Sequence, residues 1–183
     1  LSDDYWAEAA GGEQFRVEAD LEGDQDDSNN AVEWSVLFGV EALDVVINEV
    51  MLSPRHGPEW IEILNRTDQP VFLDGWTLTD DSGRAGRLPD LVLPSGGYAV
   101  LASEREILPD GWLAVAGWPT LNNGRDRIIL KDGSGAVIDE MLYEGSALSG
   151  RSLERIDSSS GSTDSENWLS NGVTIGGTPG RQN

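Results

Sequence analysis

Apolar and polar residues alternate along much of this chain, and few windows carry the three-to-four spacing of a helix. Alternation of period two marks strands with one buried face. Phe15, Val17, Ala19 and Leu21 alternate with Arg16, Glu18 and Asp20. Val32, Trp34, Val36 and Phe38 alternate with Glu33 and Ser35. The polar run from Gly23 to Asn30 separates them, which predicts a β-hairpin with one apolar face. A lone hairpin is marginal in water. This one is therefore expected to pack on the rest of the chain or on a second copy, the latter giving a homodimer through the hairpin.

From residue 45 onward, short extended segments follow one another closely. Val45–Met51 runs into a Pro/Gly loop, and Glu59–Leu64 ends at Asn65. Extended chain is expected over Val71–Leu73 and Trp76–Thr79, with a turn or bulge at Asp74-Gly75. Leu88–Leu93 and Tyr98–Ala102 flank Pro94-Ser95-Gly96-Gly97, a turn signal. Arg127–Lys131 and Ala136–Tyr143 flank Asp132-Gly133-Ser134-Gly135, the strongest hairpin signal in the chain. Ser152–Ile156 reads as a late short strand. The Ser-rich run 158–165 reads as a flexible loop, and Gly176–Asn183 as a surface tail. Turns about every 8–12 residues without crossover helices argue for an all-β fold, an antiparallel β-sandwich preceded by the hairpin.

Charge adds a boundary. Residues 1–44 hold 13 acidic residues and one basic residue, whereas residues 45–183 hold 20 and 11. The shift predicts a short first segment, 1–44, and a main domain, 45–183. The net charge of −21 argues against nucleic acid, whose binding rests on Lys and Arg neutralising phosphates. It argues equally against an anionic bilayer surface. No apolar run is long enough to cross a membrane, so no membrane insertion is expected. The chain has no Cys, which removes disulfides, thiolate metal sites and Cys nucleophiles. It begins at Leu1 rather than Met and reads as part of a longer protein.

The residues of the main domain resemble the lamin tail domain family. The resemblance is carried by Ile47-Asn48-Glu49-Val50-Met51, then by Glu59-Trp60-Ile61-Glu62-Ile63 with Asn65. It continues through Gly75, Trp76, Leu78 and Asp80, then Leu93-Pro94, Gly97-Tyr98 and Val100-Leu101. It runs on through Leu121-Asn122-Asn123-Gly124, Asp126, Ile128-Ile129-Leu130, Val137-Ile138-Asp139 and Ser152-Leu153-Glu154-Arg155. It closes on Asn167-Trp168 and Gly177-Thr178-Pro179-Gly180. The resemblance implies an immunoglobulin-like sandwich over about 45–183, of the prokaryotic type found in large secreted or cell-surface proteins. It implies attachment or surface binding and supplies no catalytic residues. There are no heptads here, so the coiled-coil rod of the nuclear lamins is not expected. Residues 24–36 resemble, more distantly, the last hairpin of a bacterial adhesion domain of the CARDB type. That likeness implies that 1–44 is the remnant of a preceding immunoglobulin-like domain.

Candidate chemistry is sparse. His56 is the only histidine, in Pro54-Arg55-His56-Gly57-Pro58, and Gly-x-Ser-x-Gly is absent. A catalytic triad needs a placed nucleophile beside its histidine, so no enzyme activity and no catalytic residue is expected. One His without Cys also argues against zinc. Calcium is the cofactor to consider, because hard cations take several oxygens on a bent backbone. Asp24, Asp26 and Asp27 crowd one turn, and Asp80 and Asp81 another; Asp and Asn also build turns without any ion. Of the seven Trp residues, Trp34, Trp60, Trp76 and Trp168 fall in or beside strands and are expected in cores. Trp112 and Trp118 lie in loop-rich stretches and are the binding candidates. Asn65-Arg66-Thr67 is a glycosylation sequon, relevant only in a eukaryotic secretory pathway. Arg151 and Arg155 are expected to form surface ion pairs with Glu154. The expectation is a non-catalytic binding or scaffold module of a larger secreted or cell-surface bacterial protein, with an unknown protein or glycan partner. The alternative is a structural spacer, or an accessory domain supporting a hydrolase elsewhere in the parent protein.

Overall fold

A computed structural model describes residues 5–9, 12–18, 31–37, 39–104, 107–144, 149–170 and 176–181. Two compact units divide at Gly39/Val40. The first strand of the second unit begins at Val45.

The first unit is a three-stranded antiparallel sheet of β1 (Tyr5–Ala9), β2 (Gly12–Glu18) and β3 (Ala31–Leu37). The expected hairpin is its β2–β3 half, with Phe15 opposite Trp34 and Val17 opposite Val32. Strand β1 adds to it, with Trp6 opposite Phe15. The sequence does not announce β1, because its alternation is weak.

The second unit is an immunoglobulin-like β-sandwich. Its strands are β4 (Val45–Met51), β5 (Trp60–Asn65), β6 (Val71–Phe72), β7 (Thr77–Thr79), β8 (Ala85–Arg87), β9 (Val92–Leu93), β10 (Tyr98–Ser103), β11 (Leu113–Val115), β12 (Arg125–Lys131), β13 (Val137–Glu144), β14 (Leu153–Arg155) and β15 (Trp168–Ser170). One sheet runs β11-β10-β5-β4-β14-β15 and the other β13-β12-β7-β8, with β6 and β9 as a separate pair. All pairings are antiparallel except β10 with β11.

Alternation decides what each strand buries. Ile47, Ile61, Ile63 and Leu101 of the six-stranded sheet meet Leu78, Ile128, Leu130 and Met141 of the four-stranded sheet in one core. All eight are essentially inaccessible to solvent. Burying each such side chain is worth about 2 kcal/mol before conformational entropy is deducted. The β12–β13 hairpin forms as its turn residues predict. Asp132 Oδ1 accepts from the Ser134 and Ala136 N–H groups, and Gly135 takes a φ of 89°.

The outer face of the six-stranded sheet is also covered. Met51, Trp60, Val100 and Ala102 form a second, smaller core beneath Leu108 and Trp112. A bulge at Asn48 permits this. It shifts the register between Ile47 and Glu49, so that Glu49 and Met51 turn outward together.

Two loops are more tightly held than their composition predicts. Ser162, in the Ser-rich run, is buried and its hydroxyl donates to Asp139 Oδ1. Trp168 Nε1 donates to the Ser162 carbonyl at 2.8 Å. The tail is docked too: Gly177 is buried, and the segment around it lies on the outer sheet face.

Candidate functional site

The binding candidates separate once placed. Trp112 follows a turn in which its N–H bonds the Pro109 carbonyl at 3.1 Å. This sets the indole edge-on to Trp60, with ring centroids 5.6 Å apart and planes at 66°. Trp60 is fully buried and Trp112 half-buried. Edge-to-face pairing satisfies the ring quadrupoles, so Trp60 fixes the ring that Trp112 presents. Between this pair and the 53–58 loop lies a cavity of about 320 Å³. Met51, Pro54, Pro58 and Pro109 supply much of its apolar wall, and the exposed Arg55 and His56 supply its polar side.

Trp118 goes elsewhere. It packs against the main core, with its indole N–H buried beside the Glu59 carboxylate without closing a full hydrogen bond. Burial raises the Glu59 pKa, and the indole N–H partly offsets this. A second, more polar cavity of about 480 Å³ lies there, among Arg84, Ser103, Glu104 and Thr120. The two Trp residues therefore do not form one site.

The calcium candidates also separate. Asp24, Asp26 and Asp27 lie outside the described residues. Asp80 is buried, and its Oδ1 accepts from the Ser82 N–H at 2.9 Å, the Ser82 hydroxyl at 2.6 Å and the Arg84 N–H at 3.2 Å. That oxygen closes a turn. Asp81 is exposed, and its N–H reaches Asp126 Oδ1 at 3.3 Å. Among the described residues, no group of three or more His, Asp or Glu is arranged to hold a metal. His56 is an exposed loop residue beside the Trp112 cavity.

Two clusters were not foreseen. Glu154, Glu49 and Glu62 stand in one cross-strand row on β14, β4 and β5. Like charges directly opposite one another repel, yet Glu49 and Glu62 are fully buried. The tail supplies donors. The Thr178 N–H reaches Glu49 Oε1 at 2.9 Å, its hydroxyl Glu49 Oε2 at 3.1 Å, and the Gly180 N–H donates to Glu62 Oε2. Asn48 Nδ2 donates to Glu62 Oε1 at 2.8 Å. Burial pushes the Glu62 pKa up to about 7, and the Gly180 and Asn48 donors hold it back from rising further. Glu49 is raised by the same cause.

The second cluster corrects the expectation for Arg155. It is not a surface residue: its guanidinium pairs with Asp139 at 3.0 Å, the two side chains being 0% and 1% exposed. Arg155 also donates to the carbonyls of Ile47 and Ser160, and lies 5.9 Å from the Trp168 ring centroid. Asp139 in turn accepts from the Ile47 N–H at 2.7 Å. Every one of these partners is distant in sequence or reached by the backbone, so residue type alone could not reveal them. Asn65 of the sequon is likewise buried, its amide nitrogen donating to the carbonyls of Gln69, Leu93 and Pro94.

Sandwich and strand order define an immunoglobulin-like domain. The lamin tail domain family matches residues 41–145, more than half of the chain, and the chain belongs to that family. The family consists of non-catalytic immunoglobulin-like domains. A search of curated proteins returns no match.

Proposed function

We propose that the 40–183 unit is a non-catalytic recognition module of a larger secreted or cell-surface bacterial protein, and that it attaches its parent to a protein or glycan partner through the cavity beside Trp112. The observation that carries this reading is the Trp60–Trp112 pair. A half-buried indole, locked edge-on by a buried one, borders an accessible cavity of about 320 Å³. Cavities from about 300 Å³ upward, mostly apolar with a few placed polar groups, are where ligands bind. A rigid aromatic that stays partly exposed loses little entropy on binding. Trp118 instead packs on the main core and borders the more polar cavity. The first unit is read as the remnant of a preceding immunoglobulin-like domain, and any dimer through it as a separate property.

The test is attachment of the intact chain to bacterial cell-surface fractions, a glycan array and a peptide array, beside Trp112→Ala and Trp118→Ala. Binding lost in the first variant and kept in the second supports the reading. Binding indifferent to Trp112 overturns it and favours a spacer.

A further inference from the structure

The described lining of the Trp112 cavity has a charge unlike the rest of the molecule. The chain carries 33 acidic and 12 basic residues, yet the lining holds no carboxylate, and its two ionisable groups are Arg55 and His56. Arg55 is seated rather than loose. Gly150 has a φ of 75°, and a Cβ there would meet Arg55 Cγ at 2.7 Å and Nε at 2.9 Å. The arginine stem thus lies across the bare glycine backbone. The loop beneath is closed by the Gly150 N–H on the Ser53 carbonyl at 2.7 Å.

Much of the backbone in the lining offers no free donor. Pro54, Pro58 and Pro109 have no N–H. The N–H groups of Trp112, Gly150 and Gly176 are engaged by the carbonyls of Pro109, Ser53 and Gly150. A sugar ring brings several hydroxyls, and the wall of Met51, Pro54, Pro58 and Pro109 offers their side-chain face no partner, which is unfavourable. An apolar side chain meets no such difficulty, and a carboxylate beside it would find the one cationic fork.

Resting on the recognition reading above, we propose that the ligand is an acidic peptide segment of a partner protein, with an apolar side chain seated against Trp112 and a flanking carboxylate paired with Arg55. The apolar side chain supplies affinity. Arg55 supplies orientation and selects acidic over basic or neutral flanks, since charge complementarity governs specificity more than strength.

The test uses the intact chain and short fluorescein-labelled peptides bearing one Leu, Phe or Trp among Asp and Glu residues. Comparison peptides replace the acids by Asn and Gln, and oligogalacturonate serves as an acidic sugar. Acidic apolar peptides are expected to bind. Trp112→Ala should weaken them at least about tenfold, and Arg55→Ala about fivefold, as for an exposed ion pair. Arg55→Lys should retain part of that loss, and added salt should weaken wild type more than Arg55→Ala. Equal binding of the Asn/Gln peptides would overturn the ligand class while leaving the cavity a recognition site. Trp112-dependent binding of oligogalacturonate without peptide binding would likewise overturn it in favour of an acidic glycan. Peptide binding indifferent to both Trp112 and Arg55, or no binding of any ligand, would overturn the proposal; surface attachment that also ignores Trp112 would overturn the recognition reading itself.

Discussion

Glu49 and Glu62 stand directly opposite each other on neighbouring strands, both without solvent exposure, and the same tail segment donates a backbone N–H to each. Two buried carboxylates in register would normally repel. Asn48, Thr178 and Gly180 supply the donors that make the pair tolerable. The bulge at Asn48 and the Gly-Thr-Pro-Gly tail are therefore parts of one device, although most of the chain separates them.

Stability should fall as pH rises through neutrality. The Glu62 pKa is about 7 in the fold against 4.5 ordinarily, so the folded state holds a proton that the unfolded chain has released. This contribution is complete below about pH 4.5 and is lost as pH passes 7, amounting to roughly 3 kcal/mol. Glu49 and Glu59 act in the same direction. Urea unfolding at pH 5.5 and pH 8 is expected to show a higher midpoint at the lower pH. Glu62→Gln, which mimics the protonated form, should flatten that difference. An unchanged slope in Glu62→Gln would assign the proton elsewhere.

Gly177→Ala should be severely destabilising. Gly177 has a φ of 78°, and a Cβ there would lie 2.4 Å from Glu49 Oε1, 2.9 Å from Ser152 Oγ and 2.9 Å from Trp60 Cζ2. Positive φ and this overlap together are expected to cost about 2 kcal/mol or more. Chemical denaturation followed by Trp fluorescence measures it. A loss below about 0.5 kcal/mol, the scale of an ordinary surface change, would mean that the tail is not docked in solution.

Removing one partner of the buried Arg155–Asp139 pair should cost about 3–5 kcal/mol, because a buried charge is left alone. Asp139→Ala is therefore expected to be worse than the double change of Asp139→Ala with Arg155→Met. A double-mutant cycle with no coupling would contradict the network.

Calcium, if bound, should not depend on Asp80. Its Oδ1 already accepts from three donors. Asp80→Asn is expected to leave any calcium-dependent melting shift unchanged. A shift abolished by that variant would restore this turn as the cation site.

How much was legible follows from the range of each interaction. The Asp132–Gly135 hairpin could be read because its turn chemistry is local: one carboxylate and one glycine in φ-positive geometry decide it. The sandwich could be read because alternation is local too, and the ordered family motifs agree with it. Trp112 could be singled out as a loop aromatic, but its partner Trp60 could not, since Trp60 reads as a core residue and is one. Arg155 was misplaced because its partners are Asp139 and the Ile47 carbonyl, which only the folded sheet brings near. The glutamate row was invisible for a subtler reason. One bulge residue, Asn48, sets the register, and a one-residue slip exchanges the faces of a strand.

The most direct measurement is a titration of the intact, isotopically labelled chain with an acidic apolar peptide, following the indole N–H resonances. Trp112 and the backbone of Arg55, His56 and Gly57 are expected to shift in a saturable manner while Trp118 stays in place. Shifts centred on Trp118 and Glu104, or no saturable shift at Trp112, would contradict this.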